Sequence, residues 1–363
     1  MLDEAPAPRI GLVERIPLRL RWFAERARAR ARQLLAASGV RRRTRYVWQR
    51  VDEHRAVWEA AADALGAEFI PLSERVWEVR VGDRRTRIAN DLLELDDPAV
   101  LEIAGDKELT YRLASEAGVR TPDGVVFDRG QVADAWRHVE ADGHPFVVKP
   151  ARGTSAGIGV TVGVRTRSQL AAAMATAGIR GRRVIVERLI AGESCRLLFL
   201  DGEMIHAVRR QGVVLEPDGQ RSVGALLRDA GLERLADDSL TAAFLAAQDL
   251  TLESMPPPGR RLVVRGLPLS EKRADEVRTV YDEVISGLVS PDLIANGAWV
   301  VDAIGSSWAG VDIVTPDPSR ALSEGGALLE VNTTPGILHH CRPGADACDV
   351  AVRVLERLLS VAA

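Results

Sequence analysis

The sequence predicts an α+β fold in which β-hairpins alternate with amphipathic helices. Two tight-turn signals, Gly82-Asp83 and Asp201-Gly202, each lie between runs of strand-forming residues, as in β-hairpins. From Pro145 onward, short apolar runs are separated by glycines, which indicates further strands. Segments with the 3.6-residue periodicity of helices lie between these runs. We therefore expect a mixed protein of helices and hairpins.

Composition and charge limit the class of protein. The chain has 363 residues, of which 46% are hydrophobic, and a net charge of −3. This predicts a globular protein without the basic field that binds nucleic acid independently of sequence. No apolar run approaches the roughly 20 residues needed to cross a bilayer. Residues 1–20 carry charges where a signal peptide would be apolar, so a cytoplasmic enzyme is the default expectation.

Three cysteines, Cys195, Cys341 and Cys348, show no spacing of a metal or redox motif. They form no C-x₂-C pair, and their number is odd. Reduced thiols are therefore expected, rather than disulfides or a zinc site.

The first 100 residues are expected to form an N-terminal domain. Residues 1–45 are rich in arginine with apolar residues at helical spacing, which predicts a basic amphipathic helix. This helix is read either as a solvated helix packed on the domain or as an arm for a membrane surface or anionic partner. A small α/β unit follows, with a helix over 48–65 and a hairpin over 76–88.

The remaining chain is predicted element by element from periodicity and turn residues. Helices are expected over 106–118, 131–141, 167–177, 223–248, 270–289 and 346–361. Strands are expected over 125–127, 146–149, 159–164, 184–187, 197–200, 203–208, 262–265, 310–314 and 327–332.

The stretch from Lys149 to Gly159 has the composition of a phosphate-covering loop. Its glycines allow close approach of the backbone to phosphate oxygens, and Thr154 and Ser155 add hydroxyl donors. A Walker loop and a dinucleotide-binding loop are excluded, because no G-K-[ST] follows the glycines and the next element is a strand. A protein-kinase loop is excluded because Lys149 precedes the glycines. An ordinary glycine-rich hairpin remains the alternative.

A second polar group lies on two strands near the C-terminus. Alternation predicts that Val311 and Ile313 face the core while Asp312 faces the other side. Glu330 and Asn332 are two residues apart and therefore share one face. Three oxygen ligands on neighbouring strands suit Mg²⁺ bound between phosphates. The alternative is a solvated strand face, which is disfavoured because these residues interrupt apolar runs.

These motifs, taken in order, carry a family resemblance. The chain contains Gly105-Asp106-Lys107, then Val147-Val148-Lys149-Pro150 with its glycine loop, then Glu187-Arg188-Leu189-Ile190 followed by Arg196, and finally Gly310-Val311-Asp312 and Glu330-Val331-Asn332. This order resembles the ATP-grasp superfamily, and most closely the ATP-grasp domain of cyanophycin synthetase and related amino-acid ligases. The resemblance covers about residues 100 to 345. It implies an ATP-grasp fold with an N-terminal α/β domain (1–100), a central lid (101–186) and a C-terminal ATP- and Mg²⁺-binding lobe (187–363).

The resemblance also implies roles for individual residues. Lys107 and Lys149 would contact ATP phosphates, and Asp312, Glu330 and Asn332 would hold Mg²⁺, with Mn²⁺ as a substitute. Arg210 would lie near the transferred phosphate, and Arg196 would be another arginine of the polar site. Gly336 and His340 would line the acceptor pocket, with a structural histidine as the alternative for His340. Family members often hold the ribose with an acidic residue where this chain has Ser194 beside Glu193. The expected nucleotide contacts are Lys107, Lys149, Gly153, Thr154, Ser155, Gly157, Gly159, Glu187, Arg188, Leu189, Ile190 and Glu193.

The implied activity is ATP-dependent joining of a carboxylate to an amine through an acyl phosphate. The expected substrates are amino acids or small peptides, with neither a nucleic-acid partner nor a membrane span, and homo-oligomerisation is left open. Small-molecule kinases and inactive nucleotide-binding proteins share the fold and remain alternatives. The second is disfavoured because both lysines and all three metal-ligand positions hold competent residues.

Overall fold

A computed structural model describes residues 51–153, 159–210, 213–236, 241, 245, 248–260, 262–265, 282–341 and 348–361. The chain divides into two compact units, residues 1–55 and 56–363. The predicted basic helix within 1–45 lies outside the described residues.

A helix and a small antiparallel sheet come first among the described residues. Helix α1 covers residues 51–64 and carries the fully buried Trp58. The N-terminal sheet has the strand order β1-β2-β3-β4. Its strands are β1 (Glu68–Pro71), β2 (Trp77–Val81), β3 (Arg84–Ala89) and β4 (Leu92–Leu93). The Gly82-Asp83 turn joins β2 to β3, which confirms the predicted hairpin.

Two helices and a second antiparallel sheet follow. Helices α2 (Pro98–Ala104) and α3 (Lys107–Glu116) precede the central sheet, whose strand order is β5-β8-β6-β7. Alternating residues of this sheet, including Phe146, Val148 and Val186, form one apolar core with residues of α4 and α5. The other face of the sheet is thereby left for polar residues. The elements are β5 (Gly124–Asp128), α4 (Val132–Glu140), β6 (Phe146–Pro150), β7 (Thr161–Val164), α5 (Arg167–Gly178) and β8 (Arg183–Arg188).

The third sheet is built around a long hairpin. The C-terminal sheet has the order β13-β10-β9-β14-β15. Helix α7 (Pro291–Ile304) packs on its apolar face, where Leu197, Val311 and Ile313 are buried. Positive φ angles at Asp201 and Gly202 make the tight turn between β9 and β10. Its strands are β9 (Glu193–Leu200), β10 (Glu203–Arg210), β13 (Asp282–Val284), β14 (Trp308–Thr315) and β15 (Ala327–Asn332), and α8 (Asp349–Val361) ends the described chain.

A small subdomain is inserted between β10 and β13. It contains β11 (Val213–Leu215), paired antiparallel with β12 (Leu262–Arg265), and α6 (Val223–Asp229). Val213, Leu227, Leu245 and Leu262 belong to a hydrophobic cluster of its own.

Most predicted elements are confirmed, but two predicted helices are wrong where they can be checked. The helix expected over 223–248 ends at Asp229, and Gly231 takes a positive φ of 69° that interrupts it. The helix expected over 270–289 lies outside the described residues up to 281. Its described part begins with strand β13, which pairs with the edge of β10, and continues as a turn over 286–288.

Helix α7 was missed, although its ends carry standard signals. Ser290 is the N-cap, Pro291 follows at the first helical position, and Gly305 closes the helix with φ 77°.

The cysteine prediction is also wrong. Cys341 and Cys348 form a disulfide, with Cα atoms 5.6 Å apart, whereas Cys195 is free and buried. A C-x₆-C spacing carries no sequence signal, and only the folded chain brings these two residues into bonding distance. Among the described helices, none has the length and apolarity to cross a membrane.

The close packing and backbone conformation of Gly192 predict that its substitution lowers the stability of the protein. Its φ is 147°, and an added Cβ would lie 2.5 Å from the backbone C and O atoms of Thr315. We expect Gly192→Ala to lower the free energy of unfolding by about 1–3 kcal/mol, as measured by urea denaturation. Gly181→Ala is the control, since no atom lies within 4 Å of its added Cβ. Equal stability of both variants would contradict this close approach.

Candidate active site

The polar face of the C-terminal sheet is set by strand register. Asp312 pairs with Arg196 on β9 and with Glu330 on β15, and side chains of directly opposed residues share a face. Asn332 pairs with Gly310 on the same face. This confirms that Asp312 points away from Val311 and Ile313 and that the two predicted metal strands are neighbours.

Asp312 is held between two buried guanidinium groups. Nε and a terminal nitrogen of Arg196 donate to its two carboxylate oxygens at 2.6 and 2.7 Å. Arg210 lies 3.5 Å from the second oxygen, and the Asn332 amide donates to it at 3.4 Å. The carboxylate is thus fixed by a bidentate arginine and lies beside a second one.

Lys107 reaches the same face from the first position of α3. Asp106 caps this helix by accepting hydrogen bonds from the backbone N–H groups of Glu108 and Leu109. The backbone N–H of Lys107 donates to the carbonyl of Ala151, just beyond β6. Its ammonium group lies 2.9 Å from Oε1 of Glu330. Helix α3 therefore presents Lys107 to the strand that carries the predicted metal ligands.

Lys149 and Glu187 form a second buried pair on the central sheet. Both side chains are at most 7% exposed, and Nζ of Lys149 lies 2.7 Å from Oε1 of Glu187. The hydroxyl of Tyr111 on α3 lies 2.5 Å from Nζ and 3.2 Å from Oε2 of Glu187. A Cβ added at Gly124 on β5 would lie 2.7 Å from Cβ of Glu187, so glycine leaves room for this carboxylate.

The predicted glycine loop is described only at its ends. Gly153 and Gly159 take positive φ angles of 68° and 78°, conformations that favour glycine. Arg152, at the start of the loop, pairs with Asp106 at 3.1 Å, which ties the loop to α3. The predicted phosphate contacts Thr154, Ser155 and Gly157 lie outside the described residues.

The predicted hinge contacts lie at the end of β8 and in the segment that joins it to β9. Leu189 and Ile190 are half-buried, and the Leu189 N–H donates to the Pro145 carbonyl. The Arg188 side chain turns toward Asp142. The hinge backbone is therefore held by the loop before β6.

The Glu193 side chain points away from the polar face of the C-terminal sheet. It shares the face of Cys195, opposite to Arg196, and lies 2.9 Å from Nε of Arg209. Its expected contact with the nucleotide thus stays a prediction that the geometry does not favour.

Two histidines extend the polar face toward the expected acceptor pocket. His206 on β10 and the buried His340 have their Nδ1 atoms 3.0 Å apart and their rings at 87°. Gly336 begins the short 3₁₀ helix Ile337–His339 that leads to His340. The Ile337 N–H donates to Asp91 of the turn after β3, so the N-terminal sheet helps to hold this segment. Burial, His206, Arg196 and Arg210 lower the pKa of His340 well below its usual value.

The oxygen donors fit a hard divalent cation only in part. Asp312, Glu330 and Asn332 supply the oxygen ligands that Mg²⁺ prefers, on adjacent strands. The described residues hold no group of three His, Cys, Asp or Glu side chains arranged for a metal. Further ligands would come from waters and phosphates, as is usual for Mg²⁺.

Tyr111, His206 and Asp91 are the site residues that sequence reasoning missed. None of the three belongs to a predicted motif, and each reaches the cluster through contacts that only the folded chain makes. The position of Tyr111 four residues after Lys107, on the same side of a helix, is the one signal that was available.

The depressed pKa of His340 predicts a pH dependence of stability. Because the folded pKa lies below the unfolded value of about 6.5, the unfolded chain binds more protons below that pH. Stability is therefore expected to fall as pH decreases from about 6.5 to 5, with up to about 1.4 kcal/mol per pH unit from one proton. His340→Gln should flatten this slope in urea denaturation.

The matched control for this measurement is His138→Gln. His138 is exposed on α4, so its removal should leave the slope unchanged. A slope that His340→Gln does not alter would contradict the burial of a neutral His340.

Comparison with known proteins identifies sequence relatives of this chain. A family model described as the D-Ala-D-Ala ligase C-terminus matches residues 113–218. Cyanophycin synthetase of Trichormus variabilis is 30% identical over 298 residues, which is 78% of this chain and 32% of that protein. D-alanine–D-alanine ligase of a Synechococcus species is 30% identical over 153 residues, which is 41% of this chain and 45% of that protein. The chain thus spans about a third of the length of the cyanophycin synthetases that it matches.

A solved structure shares the fold. The bifunctional glutathione synthetase of Pasteurella multocida matches with a TM-score of 0.57 over 83% of this chain and 44% of that chain. The identity is 21%, so this likeness establishes the fold alone. Sequence and fold together show that the chain belongs to the ATP-grasp superfamily.

Proposed function

We propose that the protein is an ATP-dependent carboxylate–amine ligase that forms an amide bond through an acyl phosphate and releases ADP and phosphate. Amino acids or small peptides are the proposed substrates, because the relatives named above are synthetases and ligases of such molecules. The observation that carries the proposal is a cluster of buried cations and their carboxylate partners on helix α3, the central sheet and the C-terminal sheet.

The charge of this cluster favours a polyanionic substrate. Among the described residues, the carboxylates of Glu187, Asp312 and Glu330 pair with four cations, Lys107, Lys149, Arg196 and Arg210. These cations lie at buried positions, where electrostatic attraction is less screened than at the surface. Phosphoryl transfer depends mainly on such positioned cations, since the transition state spreads negative charge over the phosphoryl oxygens.

The proposed roles follow the placement of each side chain. Lys107 and Lys149 bind phosphates of ATP as point charges. The hinge after β8, with Arg188, Leu189 and Ile190, contacts the adenine. Arg196 and Arg210 face the transferred phosphoryl group. Gly336 and His340 border the acceptor pocket beside His206.

Asp312, Glu330 and Asn332 are the proposed ligands of Mg²⁺. Bound there, the cation would neutralise charge on the phosphates. Glu330 is paired with Lys107, and Asp312 is paired with Arg196. On this proposal, the two carboxylates turn to the metal, and phosphate oxygens take their place beside the lysine and the arginine.

The proposed reaction has two balanced steps. A carboxylate oxygen attacks the γ-phosphorus of ATP, the bond to the β–γ bridging oxygen breaks, and ADP leaves. The amine nitrogen then attacks the acyl carbon, loses a proton, and expels phosphate that contains the original carboxylate oxygen. Burial of the cluster keeps water from the acyl phosphate.

We also propose a three-lobe organisation for this activity. An N-terminal domain to residue 100, a lid over 101–186 and a lobe over 187–363 would enclose the nucleotide between the last two. The central sheet supports this division, because α4 and α5 cover its outer face while Lys149 and Glu187 occupy the other.

Glu330→Gln tests the metal assignment. The substitution keeps the size of the side chain but removes its charge, so the fold should persist. We expect the Mg²⁺ concentration for half-maximal turnover to rise about tenfold or more. Glu324→Gln, at an exposed position, is the control. An unchanged Mg²⁺ requirement in both variants would remove Glu330 from the metal site.

An ¹⁸O label tests the reaction class. Substrates are first identified by incubating the protein and MgATP with pairwise pools of amino acids and peptides, and by following ADP, phosphate and new masses. With the donor carboxylate labelled, we expect one ¹⁸O atom in the inorganic phosphate, because that oxygen attacks the γ-phosphorus.

Other products would contradict the proposal in distinct ways. AMP carrying the label would indicate adenylation. A phosphorylated alcohol formed without an amine would indicate a kinase. Absence of nucleotide turnover with every pool would favour a protein that only binds nucleotide.

A further inference from the structure

Tyr111 lies where the central and C-terminal sheets meet. Its hydroxyl lies 2.5 Å from Nζ of Lys149 and 3.2 Å from Oε2 of Glu187, both on the central sheet. It also lies 3.0 Å from the carbonyl oxygen of Leu329, which precedes Glu330 on β15. One hydroxyl group therefore contacts both sheets.

The direction of these hydrogen bonds follows from the donors present. An ammonium group has donors only, so the Tyr111 oxygen accepts from Lys149. The single phenolic hydrogen is then donated to Leu329 or Glu187. Burial, together with the charges of Glu187 and Glu330, raises the pKa of Tyr111 well above its usual value, so the phenol keeps this hydrogen.

Lys149 needs such a partner because a lysine side chain has many rotamers. Ordering a long side chain costs conformational entropy, and an ammonium group without fixed partners would incur this cost on binding phosphate. Tyr111 accepts a hydrogen bond from its ammonium group, and Glu187 holds that group as an ion-pair partner. Lys149 Nζ makes no other hydrogen bond to the described residues, so it keeps an N–H bond for a ligand.

The same hydroxyl links Lys149 to the other lysine of the site. Lys107, one helical turn before Tyr111 on α3, pairs with Glu330. Because Tyr111 contacts the residue next to Glu330, the positions of both lysines are fixed relative to β15.

We propose that Tyr111 is a positioning residue of the nucleotide site, which holds the Lys149 ammonium group in place for a phosphate and joins it to the strand that carries Glu330. The inference rests on the nucleotide site of the proposed function. It adds a residue that acts through Lys149 rather than by touching the nucleotide.

The test measures binding of a non-hydrolysable ATP analogue with Mg²⁺ by calorimetry in four proteins. These are the wild type, Tyr111→Phe, Lys149→Met and the double variant. We expect Tyr111→Phe to weaken binding about tenfold, as for a lost hydrogen bond to a charged group. Introduced into Lys149→Met, the same change should have little further effect, because its target is absent.

Thr110→Val is the matched control. Thr110 precedes Tyr111 on α3, is 1% exposed, and donates its hydroxyl to the Ile103 carbonyl at 3.3 Å. Its loss removes a buried hydroxyl that touches neither lysine, so nucleotide affinity should stay at the wild-type value. Tyr111→Phe keeps the ring and its packing, and melting temperatures of both variants show that they fold.

The outcomes separate this inference from the proposed function. Wild-type affinity in folded Tyr111→Phe, or an equal loss of affinity in the Lys149→Met background, would overturn the role of Tyr111 while nucleotide binding stands. A wild-type protein that binds no nucleotide would overturn the proposed function, and the positioning role with it.

Discussion

Buried cations that need carboxylate partners are the constraint on which the rest of this structure depends. The side chains of Lys107, Lys149 and Arg196 are at most 8% exposed. An unpaired ion at such positions costs several kcal/mol, and this cost exceeds what any single contact of the fold supplies. Helix α3 and strands β8, β14 and β15 must therefore keep their mutual positions. A register shift by one residue would turn the carboxylates to the apolar face.

The same ion pairs balance the charges of the site within the protein itself. Glu330 compensates Lys107, and Asp312 compensates Arg196. On the proposed function, phosphates bind the cationic side chain of each pair and a divalent cation binds its carboxylate. Either ligand alone would leave one charged side chain without a partner. The pair of Lys149 and Glu187 differs, because Tyr111 also holds it. Lys149 is therefore the more fixed of the two lysines.

Local signals predicted the parts of the fold that local physics decides. The Gly-Asp and Asp-Gly turns identified both hairpins, and alternation placed Asp312 opposite Ile313. Strand β13 was mistaken for helix because its three residues are an edge strand, formed only where β10 offers a partner. The disulfide between Cys341 and Cys348 was missed because their C-x₆-C spacing matches no disulfide or metal motif.

The sequence by itself determined the superfamily, the order of the motifs and which residues share a strand face, because turn chemistry and side-chain alternation depend on neighbours in the chain. Only the tertiary structure decided which charges meet. Lys107 pairs with Glu330 across more than 200 residues, and Glu193 turns away from the site to Arg209. Tyr111 and His206 joined the cluster for the same reason. The partner of a buried charge is selected by packing between sheets, and periodicity along one segment holds no information about the opposite surface.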